Sequence, residues 1–348
     1  NHHGFDFFYG FQNPSYGDKA KRLIQRNQKV VDKGPESSRI TDDLTGEAVN
    51  FIQRNKEQPF FLYLAHDMPH VPLELPSERR GISKGGFYGD VIEHLDWSVG
   101  QVLDALKDNG LEKDTIVVFT SDNGPAIHWS IEAGSAAPLR GSKHTTLEGG
   151  FRVPGIAWGP GRIPRARVSS EMVTIMDLLP TFTKLVGGTV PSDRVIDGKD
   201  IWPVLSGASD AASPHEALYF YKRDKKAGHI EGVRWGDWKL RVPLKSYHDK
   251  AKLWKDGFKL ADYTFDKDGK LPTWRERIKI AVSNLQKIQL EAAKEKIGLY
   301  NLAEDVGERV NLASQHPDKV KQLKAMMEEF DVNLRASSRP CGNTRTKK

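Results

Sequence analysis

The sequence predicts an α/β fold for residues 1–207 and a smaller subdomain of antiparallel sheet plus helix for residues 208–348. In the first part, short apolar runs typical of strands alternate with longer segments whose apolar residues recur at helical spacing. Beyond Gly207, a stretch of small residues leads into short strand-like runs separated by turn residues. The alternation and the change of pattern at Gly207 together indicate two structural units.

Six elements are predicted in the first part of the chain. Helices are predicted where apolar residues fall on one face, and buried strands where short apolar runs end at turn residues. In chain order they are a helix over residues 41–55, a strand over 59–65, a helix over 89–109, strands over 115–120 and 153–158, and a helix over 172–186 that Pro180 kinks or opens. Thr41 or Asp42 can cap the first helix, Gly110 can end the second, and residues 18–38 are predicted to form a polar, basic connector.

The second part begins with a linker of small residues over 208–214. Strands are predicted over 217–221, 228–234 and 238–242, an exposed helix over 279–296, and a terminal helix over 317–334. The terminal helix carries an apolar stripe made of Val320, Leu323, Met326, Met327 and Phe330. These elements predict an antiparallel sheet with helices packed on it.

Composition limits the class of protein. The chain is 38% hydrophobic and 28% charged, which is ordinary for a globular protein, and its longest apolar stretches fall far below the roughly 18 residues that a membrane span needs. The formal charge of +6 suits anionic substrates, but no recognition motif accompanies it, so we expect no nucleic-acid partner and no membrane partner. A single cysteine excludes an internal disulfide framework.

The apolar run 115–120 ends in Ser121-Asp122-Asn123-Gly124. Open α/β sheets build their sites at the carboxyl ends of strands, and carboxylate and amide oxygens suit Ca²⁺ or Mg²⁺ better than zinc. The same tetrapeptide is also typical of an ordinary turn. A downstream block, residues 138–154, sets cationic side chains among glycines and threonines, as in a loop that presents cations and backbone N–H groups to an oxyanion.

In their order and spacing, these two blocks resemble the type I sulfatases of the alkaline phosphatase superfamily. Further segments resemble the same family in the same order, namely residues 1–10, 58–72, 88–96, 195–207 and 298–312. The resemblance implies a mixed-sheet α/β/α sandwich of the sulfatase/alkaline phosphatase type with a smaller C-terminal subdomain. It also implies a sulfuric ester hydrolase of arylsulfatase or carbohydrate-sulfatase type, acting on a sulfated small molecule or a sulfated glycan in the periplasm or in a secreted or lysosomal compartment.

The resemblance assigns roles to particular residues. Lys143 matches the lysine that bridges sulfate and nucleophile, and His70 matches the histidine that contacts sulfate and can protonate the leaving group. Asp122 and Asn123 match ligands of the metal, for which calcium is expected and magnesium is the alternative. Without the flanking matches, Lys143 would be interpreted as a solvated loop lysine and His70 as a structural histidine. Asp122 and Asn123 would be interpreted as part of an ordinary turn.

Four further residues are predicted to bind substrate, namely His66, His128, Arg140 and His144. His66 is equally typical of a packing residue, and Arg140 is better explained as a clamp that holds its loop. His144 stands where the family usually has glycine, so the loop geometry implied by the resemblance does not carry over directly at this position.

The chain departs from the family pattern at the nucleophile. These enzymes oxidise the first residue of a Cys/Ser-x-Pro-x-Arg pentapeptide to formylglycine, and no such pentapeptide occurs here, because Cys341 lies in Arg339-Pro-Cys-Gly-Asn343. The paired aspartates that supply the other metal ligands are also missing. We therefore expect an N-terminally truncated sulfatase, inactive as given.

Two alternatives stay open on the sequence alone. One is a phosphomonoesterase or phosphonate hydrolase of the same superfamily, and the other is a non-catalytic protein that binds sulfated glycans through its basic pocket. The sequence does not identify the particular sulfate ester or the oligomeric state.

Overall fold

The computed structural model of the protein describes residues 4–11, 22–33, 37–223, 228–253 and 259–338. Its first part contains five strands and five helices among these residues. They are β1 (Tyr9–Phe11), β2 (Leu23–Arg26), β3 (Lys29–Lys33), α1 (Ile40–Arg54), α2 (Gly86–Asp108), β4 (Val117–Thr120), α3 (Glu148–Phe151), β5 (Gly155–Trp158), α4 (Leu178–Leu185) and α5 (Trp202–Ser206). None of the helices in the described ranges combines the length and apolar character needed to cross a bilayer.

Helices α1 and α2 pack against each other, as their apolar faces predict. Ile52 of α1 lies in one buried cluster with Ala105 and Leu106 of α2. The predicted cap of α1 is wrong: the helix begins at Ile40, after a short 3-10 turn, and Arg39 precedes it without a side-chain bond. Thr41 is instead buried inside the first turn.

The predicted connector over residues 18–38 is also wrong in its described part. Strands β2 and β3 form an antiparallel hairpin there, and β1 pairs with β2 on its other side. The hairpin turns at Asn27, whose backbone φ of 55° is tolerated better by asparagine than by most residues. Its polar outer face hid the strand pattern, while Ile24 packs inward against Ile40 and Leu44.

Strands β4 and β5 pair antiparallel, with Val117 opposite Trp158 and Thr120 opposite Gly155. The prediction of a buried strand over residues 59–65 is wrong. That segment is extended, but no strand in the described part of the chain pairs with it, and its side chains alternate between a face packed on α1 and α2 and an open face. On the open face Phe61 and Tyr63 are 60% and 70% exposed.

Two short helices, α4 and α5, precede the second part of the chain. Residues 175–177 form a 3-10 turn and α4 follows at Leu178, so Pro180 lies in the first helical turn, where a missing N–H leaves no bond unmade. Helix α5 ends at Gly207, whose left-handed backbone (φ 73°) terminates it. The predicted boundary at residue 207 follows this helix end and stays a prediction.

The second part contains a four-stranded antiparallel sheet and three helices within the described residues. Its elements are β6 (Ala217–Arg223), β7 (Gly228–Trp235), β8 (Trp238–Arg241), α6 (Lys245–Leu253), α7 (Trp274–Ala292), β9 (Gly298–Asn301) and α8 (Pro317–Ser337), and the strand order is β6-β7-β8-β9. Leu323 and Met327 of α8 pack on the sheet, as predicted. Helix α7 is predicted to be exposed, which is wrong, because Asn284 and Ile288 are buried and Asn284 donates through Nδ2 to the carbonyl of His128 in the first part of the chain.

Candidate active site

Two loops meet at the carboxyl end of β4, and backbone hydrogen bonds join them. The first loop, residues 121–125, follows β4 directly, and the second, residues 139–150, is called the cation loop here because it carries Lys143. The amide of Gly124 donates to the carbonyl of Gly150 at 3.0 Å, and the amide of Lys143 donates to the carbonyl of Pro125 at 2.9 Å. These two bonds bring the acid and amide of the first loop to the lysine of the second.

The approach of the two loops is too close for any side chain at Gly124. A Cβ built there would lie 1.8 Å from the carbonyl oxygen of Gly149. A Cβ on Gly150 would lie 2.3 Å from the carbonyl oxygen of Thr145 within the cation loop. Glycine is therefore required at both positions by contact distance, independently of backbone angles.

Lys143 and His70 face each other across this junction. The Nζ atom of Lys143 lies 3.4 Å from Nε2 of His70, and Nδ1 of the same ring lies 2.7 Å from the carbonyl oxygen of Val71. Because a carbonyl oxygen only accepts, the proton of the neutral ring belongs on Nδ1, and the lone pair of Nε2 faces the ammonium group. Burial lowers the pKa of His70, and Lys143 lowers it further, against the raising effects of Val71, Asp67 and Asp122.

Asp122 and Asn123 offer two oxygen atoms beside this pair. The Asp122 carboxylate is exposed, and the Asn123 amide donates through Nδ2 to the carbonyl of Gly124 at 3.0 Å, which leaves Oδ1 as its acceptor. A carboxylate with an oriented amide oxygen fits a hard divalent cation such as Ca²⁺. Across the described residues there is no group of three or more His, Cys, Asp or Glu that could hold a metal ion.

His128 and His144 line the same junction. Their ring centroids lie 5.7 Å apart, and burial, followed by the neighbouring His144, lowers the pKa of His128 to about 4. Burial also lowers the pKa of His144, with Lys143 and Lys222 adding to the effect. The backbone φ of His144 is 74°, a left-handed value that favours glycine, so this histidine keeps the backbone region that a glycine would adopt, at a cost in strain.

The structure places His66 and Arg140 outside this group. Nε2 of His66 lies 3.4 Å from Oγ of Ser98 on α2, and its pKa is lowered to about 4 by burial and by His94. Arg140 donates through Nη1 to the carbonyl of Glu308 at 2.7 Å. The first has the contacts of a packing residue, and the second ties the cation loop to the second part of the chain.

A buried cluster of charges, missed by sequence reasoning, holds the end of the cation loop. Nζ of Lys239, which is fully buried, lies 2.8 Å from Oε1 of Glu148 and 3.2 Å from Oε1 of Glu308. The backbone amide of Glu148 donates to Oε2 of Glu308 at 2.7 Å. Burial acts to raise the pKa of Glu148, but Lys239 and Arg234 outweigh burial and hold the pKa below its usual value. The side chain of Glu148 is therefore the centre of this ion cluster, which also includes Arg234 at 3.3 Å.

A second buried carboxylate positions the segment around His70 and His128. Glu132 accepts a bond from the amide of Leu73 at 3.0 Å and from the hydroxyl of Tyr263 at 2.8 Å, and it pairs with Arg277. No sequence pattern marks Glu132, because its three partners lie 59 to 145 residues away along the chain.

The chain is similar to known proteins over much of its length. A sequence profile of the sulfatase family, described as "Sulfatase", matches residues 1–188. The chain belongs to the sulfatase family. It is 37% identical over 240 residues to arylsulfatase D of Homo sapiens, covering 66% of this chain and 40% of that protein. It is 38% identical over 269 residues to N-acetylgalactosamine-6-sulfatase of Canis lupus familiaris, covering 72% of this chain and 48% of that protein.

A solved structure shows the fold. The PsFucS1 sulfatase from Pseudoalteromonas sp. superposes with a TM-score of 0.72 at 21% identity, over 97% of this chain and 68% of that one. The predicted family and the predicted mixed α/β fold of the sulfatase type are therefore confirmed. The matched region spans less than half the length of each curated sulfatase relative.

The contact between the two loops gives a first prediction. We expect Gly124→Ala to destabilise the protein by about 3 kcal/mol or more, because the added Cβ meets a backbone oxygen that cannot rotate away. Gly155→Ala, in the strand paired with β4, is the matched control, since its Cβ would meet nothing within 4 Å. Denaturant unfolding of both variants measures the difference, and equal stability would show that the loops do not meet as described.

The buried cluster gives a second prediction. Lys239→Met should cost about 3–5 kcal/mol at neutral pH, because two carboxylates stay buried without their cation. In the wild type, the lowered pKa of Glu148 contributes stability above the unfolded value of 4.5 that is lost as the pH falls through the folded value. Without Lys239, burial should raise the pKa of Glu148 instead of lowering it. Acidification should therefore reduce the difference in the free energy of unfolding between wild type and Lys239→Met.

Free energies of unfolding, measured for both proteins from neutral pH to below the unfolded pKa of 4.5, test whether the difference between them decreases or increases on acidification. The control is Lys107→Met, which breaks an exposed pair with Asp104 and should change stability by less than about 1 kcal/mol. A gap between wild type and Lys239→Met that widens on acidification would contradict the assignment of Lys239 to Glu148.

Proposed function

We propose that the full-length protein hydrolyses a sulfate ester, and that Lys143 and His70 carry out the part of the reaction that this chain supplies. The observation that supports this most is their approach, 3.4 Å between Nζ and Nε2, directly beside Asp122 and Asn123. An ammonium group, an imidazole and two oxygen ligands at one junction suit the binding of a small oxyanion.

Lys143 binds and orients the sulfate group. Its backbone is fixed by the bond to Pro125, so the side chain projects from a rigid loop toward His70. A fixed ammonium donates charge-assisted bonds to sulfate oxygens and stabilises the negative charge that develops as the ester breaks. Sulfate binding by Lys143 costs little reorganisation free energy, because the loop is in place before the substrate arrives.

His70 moves the proton. Its ring orientation is set by the Nδ1 donation to Val71, which directs Nε2 into the junction. In the free protein the lowered pKa keeps Nε2 unprotonated at neutral pH. A bound sulfate favours the imidazolium form, and Nε2 then holds a proton that it can deliver to the ester oxygen as the alcohol leaves.

Asp122 and Asn123 are the proposed metal ligands. Calcium suits their oxygen donors, with magnesium as the alternative, and when bound it would polarise the sulfate oxygens. The family also uses a formylglycine, but the chain contains no Cys/Ser-x-Pro-x-Arg pentapeptide, so none of its residues fits that role. Its own contribution is to bind the sulfate, to orient it and to protonate the leaving group.

The substrate class follows from charge and from the relatives. His128 and His144 add two neutral imidazole rings, which can form hydrogen bonds, beside the Lys143 ammonium. The relatives are named for aryl sulfates and for N-acetylgalactosamine 6-sulfate. We therefore propose a sulfated small molecule or a sulfated glycan as substrate, and a periplasmic, secreted or lysosomal location. No feature of this site favours the hydrolysis of a phosphate ester over that of a sulfate ester. The test below therefore includes an aryl phosphate.

Activity of the full-length protein tests the assignment. We expect Lys143→Ala and His70→Ala to lower kcat/KM for an aryl sulfate by about a hundredfold or more, through loss of charge stabilisation and of proton transfer. Lys113→Ala and His316→Ala replace the same residue types at exposed positions and serve as controls. Near-normal rates for Lys143→Ala would overturn the role of the cation loop, and preferential turnover of the matching aryl phosphate would overturn the reaction.

Thermal unfolding tests the metal ligands without requiring activity. Calcium at a hundredfold excess over its Kd should raise the Tm of the full-length protein by on the order of 5 °C, since binding favours the folded state. Asp122→Ala should abolish the rise, Asn123→Ala should reduce it, and Asp104→Ala should leave it unchanged. An unchanged calcium response in Asp122→Ala would show that Ser121-Asp122-Asn123-Gly124 is only a turn.

A further inference from the structure

Lys222 brings a second cation from the C-terminal sheet toward the cation loop. On β6, Phe220 packs edge-on against Phe151 just after that loop, with ring centroids 5.0 Å apart. Lys222 lies two residues further along the strand and therefore shares the face of Phe220. The neighbouring strand β7 is tied to the same loop, because Thr146 donates to Glu231 at 2.9 Å.

The Lys222 ammonium lies against the face of an aromatic ring. Its Nζ atom is 4.3 Å from the centroid of the Tyr247 ring on α6. Among the described residues no carboxylate oxygen lies within the 4.0 Å of an ion pair with it. Glu231 attracts it from further away, but that carboxylate already accepts from Thr146 and faces Arg241 at 3.8 Å.

Burying the Lys222 ammonium against an aromatic ring costs free energy, because the ring replaces only part of its hydration. Burial lowers the pKa of Lys222, which means that the fold disfavours its charge. A cation–π contact returns only about 0.5–2 kcal/mol of that cost. The charge of Lys222 is nevertheless felt at the site, since it contributes to lowering the pKa of His144. Perturbed titratable groups cluster at functional sites, and a partly buried ammonium whose charge is only partly balanced by Glu231 can bind an anion.

We propose that Lys222 and His144 form a second anion subsite, which takes a sulfate or carboxylate group carried by the same substrate in addition to the ester that is cleaved. This inference rests on the proposed function and narrows its substrate to a glycan with at least two anionic groups. His144 follows Lys143 directly, so one loop presents a side chain to each anion. The Tyr247 ring holds the ammonium in place, and the C-terminal sheet thereby selects the substrate.

Kinetics on the full-length protein test this selection. The substrates are a monosulfated disaccharide, a disulfated disaccharide and a monosulfated disaccharide with a uronate carboxylate. We expect Lys222→Met to raise KM for a doubly anionic substrate at least tenfold more than for the monosulfated one, with Lys222→Arg restoring most of the loss. The substrate that shows the larger effect identifies sulfate or carboxylate as the second anion.

Lys319→Met is the matched control, because Lys319 also lies over an aromatic ring, 4.5 Å from the centroid of Trp235, in the same subdomain. It should leave all three KM values unchanged. An equal loss on all three substrates in Lys222→Met would overturn the subsite.

A binding measurement distinguishes failure of the second anion subsite from failure of the proposed sulfate ester hydrolysis. If the wild type turns over no sulfate ester, the proposed function fails, and calorimetric titration with the disulfated disaccharide then decides the subsite by itself. Weaker binding to Lys222→Met than to wild type and Lys319→Met would support it, and equal binding would overturn it. Thermal unfolding of Lys222→Met should show no loss of stability, because the variant removes a buried charge that lacks a carboxylate partner.

Discussion

The ammonium group of Lys239 sits between the carboxylates of Glu148 and Glu308 without access to water, and the arrangement of the candidate site depends on this contact. Glu148 begins the short helix that closes the cation loop, while Lys239 belongs to the C-terminal sheet. A buried ion cluster is stable only when all its members are in place, so the loop and the sheet fix each other. Arg140 adds a second tie from the same loop to the carbonyl of Glu308.

The C-terminal subdomain therefore forms part of the site instead of only covering it. Through Glu148 it holds the loop that presents Lys143, and through Tyr263 and Arg277 it holds Glu132, which orients the chain beside His70. The residues proposed to act on the substrate lie in the first part of the chain, and side chains of the second part hold the segments that carry them. Lys222, on the same sheet, contributes to the lowered pKa of His144 in the cation loop.

Sequence reasoning succeeded where the cause is local. The amphipathic patterns of α1, α2 and α8 predicted those helices, and the strand followed by Asp122 and Asn123 was found because an apolar run ends there in oxygen donors. It failed where partners are distant. In the sequence, a charged residue is indistinguishable from a surface residue until its partner is known, so Lys239 in a strand and Glu132 in a 3-10 turn gave no signal. Residues 59–65 have strand composition, yet pairing decides strand formation, and no described strand pairs with them.

Hydrogen exchange at two amides tests the central claim, that the two loops form one rigid junction. The amides of Gly124 and Lys143 donate across it, at 3.0 Å and 2.9 Å. In the full-length protein, exchange resolved to single residues should show both amides protected to the level of global unfolding, and Lys239→Met should lower both together. Exchange of either amide as fast as that of the exposed Gly161 would contradict the account, because the lysine and the oxygen ligands would then move independently.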